Sequence, residues 1–205
     1  MLELIWIVAA FFIAAIPYSL LIGWGIFGVD IRHFGDANPG ATNVYRATGS
    51  KFWYIVAVCA DGAKGLFPVG IAHWIVGLSP YAVALVGIAC IAGHAFSPFL
   101  RFNGGKAIAT TGGIWIGLTI LPAMLVIGVM LVYWYKSVKE SNWAVVLMML
   151  SLLLYLLLIQ SPLPVLVMWA GNFVIVLFRH REGLNHLPTL RYWLPFVHTP
   201  KPVHS

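Results

Sequence analysis

Long apolar runs separated by short polar segments make up most of the chain. Hydrophobic stretches cover Leu4 to Phe27, Phe52 to Leu78, Pro80 to Leu100, Ala107 to Tyr135, Trp143 to Ile159 and Pro162 to Phe178. A helix that crosses the hydrocarbon core of a bilayer needs about 20 apolar residues, so each stretch predicts a spanning element. The Ala107–Tyr135 stretch can be read as one tilted helix or as two short helices that turn back near Leu121-Pro122. Proline inside a helix removes a hydrogen bond and clashes with the preceding turn, so a break there is physically reasonable.

Basic residues separate the two readings. Those in the polar segments between spans fall in four groups: Arg32, Arg46 and Lys51; Arg101 and Lys106; Lys136 and Lys139; Arg179, Arg181, Arg191 and Lys201. A single crossing would put the last two groups opposite the first two, whereas a double crossing puts all four on one face. Cytoplasmic loops carry the excess of Lys and Arg, which favours the double crossing. The expected fold is therefore an all-α polytopic membrane protein with seven transmembrane helices. Its N-terminus lies outside, its C-terminus is cytoplasmic, and residues 1–205 form one domain. The two halves of the divided stretch are short for a full crossing, which implies local thinning or burial by neighbours.

Composition agrees with this picture. Hydrophobic residues make up 61% and charged residues 9%, against roughly 25% charged in a soluble globule. Mean hydropathy is +0.92. The start, Met1-Leu2-Glu3-Leu4, lacks a basic region ahead of its apolar run, so the first span is expected to be retained rather than cleaved. The net charge of +6 resides in loops and reports orientation, not a nucleic-acid partner. Cys59 and Cys90 sit in apolar stretches and are expected to be buried small hydrophobes rather than a disulfide or metal pair. Trp134 and Trp193 are expected as interface anchors, and His73 as structural.

Four polar segments carry the candidate chemistry, because irregular polar backbone beside a bilayer must be buried in protein or line a wet cavity. The first runs from Asp30-Ile31-Arg32 through Gly35-Asp36-Ala37-Asn38-Pro39-Gly40-Ala41-Thr42-Asn43 to Arg46. Glycines allow close backbone approach, Asn38, Thr42 and Asn43 offer short polar side chains, and Arg46 supplies a planar fork of donors suited to phosphate. A solvated hairpin is the competing reading. The second, Asp61-Gly62-Ala63-Lys64-Gly65, puts two ionisable groups three apart within an apolar stretch, where they can meet on one helix face. It reads either as a locking ion pair or as Lys64 adding positive potential to an anion site.

The third segment runs from Gly93-His94 through Ser97-Pro98 and Asn103-Gly104-Gly105-Lys106 to Ala109-Thr110. Pro98 ends or kinks a helix. Gly104 and Gly105 can expose successive N–H groups at the start of the next helix, with Lys106 at its positive dipole end. His94 reads equally as a core histidine and as a site residue. The fourth, Arg179-His180-Arg181-Glu182, closes the last span and also reads as a stop-transfer cluster.

Several enzyme classes are excluded. The spacing G-x-x-x-x-G-K would need glycine at Leu100, so there is no Walker A loop. No histidine is followed by aspartate five residues later, which removes the His-x4-Asp acyltransferases. The chain lacks the acidic cluster of metal-dependent phosphatidyl transferases and any G-x-S-x-G elbow. What remains is a site rich in phosphate donors and poor in general bases, where positioning and electrostatics dominate.

These motifs resemble those of the bacterial acyl-phosphate:glycerol-3-phosphate acyltransferases (the PlsY family). The matching residues are Asp30-Ile31-Arg32 with Gly40-Ala41-Thr42-Asn43 and Arg46, then Asp61, Lys64 and Gly65, then Gly93-His94 through Ala109-Thr110, and finally Arg179 to Glu182. The resemblance implies a multi-pass enzyme of the bacterial inner membrane with its active site facing the cytoplasm. It would move an acyl group from acyl phosphate to the 1-hydroxyl of glycerol 3-phosphate, giving lysophosphatidic acid and phosphate without coenzyme A, acyl carrier protein, metal or other cofactor. Arg46, Lys106, His94 and His180 are the expected catalytic residues. Asp36, Asn38, Gly40, Thr42, Asn43, Lys64, Ser97, Gly104 and Gly105 are expected to bind substrate, and a monomer is expected. The chain departs from the family pattern at Asp36, where the family carries serine, at Ala107, where it carries glycine, and at Gly183, where it tends to carry asparagine. A paralogue with another acceptor, a transporter for a phosphorylated solute and a non-catalytic scaffold are the rival readings.

Overall fold

The structure, a computed structural model, describes residues 1–191. Trp193 and Lys201 lie outside the described residues. Within them the chain is helical apart from one antiparallel bridge between Val138 and Leu190. The principal helices are α1 (Leu2–Ala15), α2 (Tyr18–Phe27), α3 (Ala41–Thr48), α4 (Lys51–Gly70), α5 (Pro80–Ala95), α6 (Ile108–Thr119), α7 (Pro122–Ser137), α8 (Ser141–Leu158) and α9 (Leu163–His180). Five stretches are long and apolar enough to cross a membrane: Leu2–Phe27, Lys51–Ile75, Pro80–Leu100, Ser141–Leu158 and Leu163–Gly183. The helices Ile108–Thr119 and Pro122–Ser137 are apolar but shorter. The chain does turn between Thr119 and Pro122, with Ile120 at φ +65 and proline opening α7.

The first apolar stretch is not one continuous helix. Pro17 interrupts it, and Ile16 takes the extended conformation (ψ 122) that a residue before proline prefers. The break releases backbone carbonyls, and distant side chains take them up. The Ser97 hydroxyl donates to the Ala15 carbonyl at 2.6 Å, and Lys64 Nζ donates to the Ile16 carbonyl at 3.0 Å. The polar segment after α2 is also more ordered than a loop, since it contains α3 and a 3-10 turn at Ile31–His33.

Small residues bring α4 and α6 together. A Cβ on Gly65 would lie 2.6 Å from the Thr110 carbonyl oxygen and one on Gly117 2.7 Å from that of Leu66, while one on Gly113 would strike the Gly62 carbonyl. Close backbone approach of this kind is how helices associate where lipid gives no hydrophobic drive. The Thr110 hydroxyl donates across the same crossing to the Asp61 carbonyl at 2.9 Å. Gly113→Ala forces backbone apart, and overpacking of this kind costs about 1–3 kcal/mol. The expected result is an apparent melting temperature in detergent lower by roughly 5 °C, read by scanning fluorimetry; an unchanged value would show that the crossing can relax.

A core of Ile114, Trp115, Met148, Met149, Leu152 and Met168 joins α6, α8 and α9. Cys90 is buried, whereas Cys59 lies on an exposed face of α4, contrary to the expectation of burial. Trp134 is not simply an anchor, because its indole N–H donates to Ser151 of α8 at 3.0 Å. At one end of the bundle Glu3 accepts from the Ser79 amide at 3.1 Å. The four candidate segments gather at the other end.

Candidate active site

The first segment is folded by its own charges. Gly28 ends α2 in the left-handed conformation (φ +65), and Asp30 then caps the short 3-10 turn. Asp30 also grips the Arg32 guanidinium, with contacts of 2.9 Å to Nε and 2.6 Å to Nη2. That hydrogen bonding outweighs the opposing effect of burial and holds the Asp30 carboxyl down at about 2. Asp30 and Arg32 are therefore a local brace. Beyond them the chain passes Gly35 and Ala37, both at positive φ (+58 and +56), with Asp36 between them.

On α3, one helical turn sets Asn43 and Arg46 side by side. Asn43 Oδ1 accepts from Arg46 Nη1 at 2.9 Å, and its Nδ2 donates to the Asn38 carbonyl at 2.9 Å and to Asp36 Oδ1 at 3.1 Å. Asn43 is only 1% exposed. Expected to bind substrate, it has its amide engaged with Asp36, the Asn38 carbonyl and Arg46 in this structure. Thr42 is exposed beside it, Asn38 is half-buried, and Gly40 forms the N-cap of α3.

The third segment corrects a second expectation. The Gly104 amide donates to the Ala95 carbonyl at 3.1 Å and the Gly105 amide to the His94 carbonyl at 3.0 Å. These carbonyls are left over at the end of α5, so the two N–H groups cap a helix and are not bare toward an anion. Glycine is needed at both because a side chain at Gly104 would strike the His94 carbonyl and one at Gly105 the His94 ring. The donors that stay free of intrahelical partners are those of the first turn of α6, from Ile108 onward. Arg179 locks the loop from outside, donating to the Gly104 carbonyl, to the Gly105 carbonyl at 3.2 Å and to Asn103 Oδ1 at 3.3 Å.

So held, Lys106 points at the first segment. Its Nζ lies 2.8 Å from Asp36 Oδ2, while Arg46 Nη1 lies 3.3 Å from Asp36 Oδ1. Arg46 and Lys106, 10 and 70 positions from Asp36 in sequence, thus meet on its carboxylate; the side chains of Asp36, Lys106 and Arg46 are 41%, 30% and 47% exposed. Burial would raise the Asp36 pKa, but the Lys106 hydrogen bond and charge outweigh it and hold the carboxyl below its usual range. Asp36 is therefore ionised at neutral pH. The stability this pairing adds is present above the unfolded carboxyl pKa and is lost as pH falls through the lowered one.

Behind this cluster lies a buried one. Asp61 and Lys64 pair at 2.9 Å with side chains 4% and 2% exposed, and Ser19 donates its hydroxyl to Asp61. Lys64 also sits 5.6 Å above the Tyr18 ring. Lys64, expected to bind substrate, here links the α1–α2 break to α4. Ser97, 1% exposed, likewise spends its hydroxyl on the Ala15 carbonyl. A cavity of about 10 Å³ is lined by Lys64, His94, Ser97, Gly105 and Pro39 among others. That is about the space of one water.

The fourth segment joins from the end of α9. His180 is 3% exposed, with Nδ1 2.8 Å from Asn142 Oδ1 at the start of α8. With the amide oxygen so assigned, Nδ1 carries the proton and Nε2 presents a lone pair. Gly183 lies against the same amide, where a side chain would collide with Asn142. Among the described residues, Asn38 Oδ1, His94 Nδ1 and His180 Nε2, all on candidate residues, are buried without a hydrogen-bond partner, as is Asp61 Oδ1 apart from its ion pair with Lys64. Sequence reasoning did not single out Asn142 or Ser19, and it gave Arg179 no role beyond a basic cluster. Asn142 and Ser19 are polar residues near helix starts, a signal shared with ordinary caps.

The model of a family described as glycerol-3-phosphate acyltransferase matches residues 4–189. A glycerol-3-phosphate acyltransferase of Desulfovibrio desulfuricans is 36% identical over 200 residues, covering 95% of this chain and 86% of the relative. The chain belongs to the glycerol-3-phosphate acyltransferase family. Glycerol-3-phosphate acyltransferase 1 of Thermotoga maritima is 35% identical, covering 90% of this chain and 97% of that one. Among solved structures, the glycerol 3-phosphate form of PlsY (YgiH), an integral membrane glycerol 3-phosphate acyltransferase, superposes with a TM-score of 0.81 at 28% identity. It covers 90% of this chain and 91% of that one. The lysophosphatidic acid form superposes with a TM-score of 0.80. As in those structures, the chain is an integral membrane protein built from several apolar helices.

Proposed function

We propose that this chain transfers an acyl group from an acyl phosphate to the 1-hydroxyl of glycerol 3-phosphate, giving lysophosphatidic acid and inorganic phosphate. The observation that carries this reading is the meeting of Arg46 and Lys106 on one oxyanion, Asp36, beside the N-terminus of α6. Groups that hold a carboxylate in this way can hold phosphate oxygens. The acceptor hydroxyl attacks the acyl carbonyl, the bond from that carbon to the phosphate oxygen breaks, and phosphate leaves. Lys106 and Arg46 offset the charge that develops on the carbonyl and the leaving group. The hydroxyl proton goes to the acceptor's own phosphate or to the lone pair of His180 Nε2, with His94 as a third candidate.

The donor dissolves in the bilayer and its acyl chain lies along an apolar surface. An apolar depression of about 520 Å³ on α7, lined by Met124, Leu125, Gly128, Val129 and Val132, is such a surface. The working topology is one domain with seven crossings, N-terminus outside, and the site at the cytoplasmic face of the bacterial inner membrane, acting as a monomer. In support, Glu3 and Ser79 meet at one end and all four polar segments at the other. A transporter would place such groups near the midplane. Purified protein given palmitoyl phosphate should release phosphate and form lysophosphatidic acid only when glycerol 3-phosphate is added. Release of phosphate at the same rate without the acceptor would contradict the reading.

A further inference from the structure

Asp36 is an unexpected residue to find at the centre of an anion site. Each of its oxygens takes a donor that the proposed reaction needs: Oδ2 lies 2.8 Å from Lys106 Nζ, and Oδ1 lies 3.3 Å from Arg46 Nη1 and 3.1 Å from Asn43 Nδ2. The backbone aims it there. Gly35 and Ala37 flank it at φ +58 and +56, a conformation that disfavours an alanine. A side chain at Gly35 would collide with Arg46 Nη1, and its Cβ would lie 2.6 Å from Asn43 Oδ1. The loop is thus built closely against the cations with the carboxylate turned inward.

We propose that Asp36 is an internal occupant of the oxyanion pocket, a carboxylate that the acceptor's phosphate must displace from Lys106 and Arg46 and that thereby sets acceptor affinity. The proposal rests on the reading of this pocket as the phosphate site. Two charges of +1 and one of −1 leave the cluster at a net +1, so a dianionic phosphate meets half the positive charge that Lys106 and Arg46 would otherwise offer. Only the fraction of molecules with these cations released can bind, and the apparent dissociation constant rises by the inverse of that fraction. The cluster stays open to water on one side, with Asp36 41% exposed, so the carboxylate can swing out without burying an unpaired charge. When product leaves, Asp36 returns to the cations and keeps them in place.

The occupied state also explains how a carboxylate can stand beside phosphate ligands at all. Like charges in contact are unfavourable, whereas alternation of carboxylate and phosphate on the same donors avoids the clash. Asp36 held below the usual carboxylate range is a weak proton acceptor, so its position suits an exchange role better than that of a general base.

The test measures binding of glycerol 3-phosphate and of inorganic phosphate by calorimetry in detergent, together with KM and kcat, for wild type, Asp36→Asn and Asp36→Ser. Exposed ion pairs are individually weak, so losing two should tighten phosphate binding and lower the acceptor KM on the order of fivefold. The serine variant answers the question if the asparagine variant does not fold. A higher KM in both variants would overturn the proposal by making Asp36 a substrate ligand or a brace for the cations, and so would an unchanged one. If neither anion binds wild type, or if Lys106→Ala binds them as wild type does, the phosphate-site reading itself falls, and the Asp36 proposal with it.

Discussion

Lys106→Ala is expected to lower turnover of acyl phosphate with glycerol 3-phosphate by about 100-fold or more, the usual range for removing one preorganised donor to a developing oxyanion. Arg46→Ala is expected to lose at least as much kcat/KM, since a forked guanidinium contributes both charge and orientation. Neither loss should come from unfolding. Lys106 and Arg46 are 30% and 47% exposed in their pairs with Asp36, and pairs so open to water contribute at most about 1 kcal/mol to stability. Melting temperature measured beside activity separates the two effects. If both variants keep turnover within a few-fold of wild type, the cations are ornaments of the loop and the proposed chemistry has no electrophilic support.

The second large effect is one of folding. Lys64→Met removes one member of a pair whose side chains are 2% and 4% exposed, leaving the Asp61 carboxylate buried with only the Ser19 hydroxyl. Breaking a buried pair from one side costs about 3–5 kcal/mol, and here the Ile16 carbonyl at the α1–α2 break is orphaned as well. Expression of folded protein should drop sharply. Adding Asp61→Asn to Lys64→Met should restore much of it, because a double replacement leaves no unpaired charge. Well-folded Lys64→Met with weakened phosphate binding would instead return Lys64 to the direct substrate role that the sequence suggested.

Much of the fold could be read in the pattern of residues, because bilayer physics leaves few choices. Apolar runs of spanning length, the break at Leu121-Pro122 and the Asp61–Lys64 pair on one helix face all follow from local rules. The break at Ile16-Pro17 was equally local but was hidden inside a run apolar on both sides. Its consequence could not be read locally at all, since Lys64 and Ser97 reach it from 48 and 82 positions away. The same limit applied at the site. Residue types and spacing marked Arg46 and Lys106 as candidates to hold phosphate, but not that Asp36 already lies between them. Glycine at 104 and 105 signalled close approach, and the approach proved to be to the His94 and Ala95 carbonyls rather than to a ligand. Asn142, which sets the His180 ring from another helix, had no signal beyond a polar residue at a helix start.

A structure of this chain with glycerol 3-phosphate bound would probe the shared oxyanion pocket most directly. Phosphate oxygens should lie about 3 Å from Lys106 Nζ and from the Arg46 guanidinium, with Asp36 turned away to solvent. Phosphate seated elsewhere, with the Asp36–Lys106 contact still closed, would contradict it.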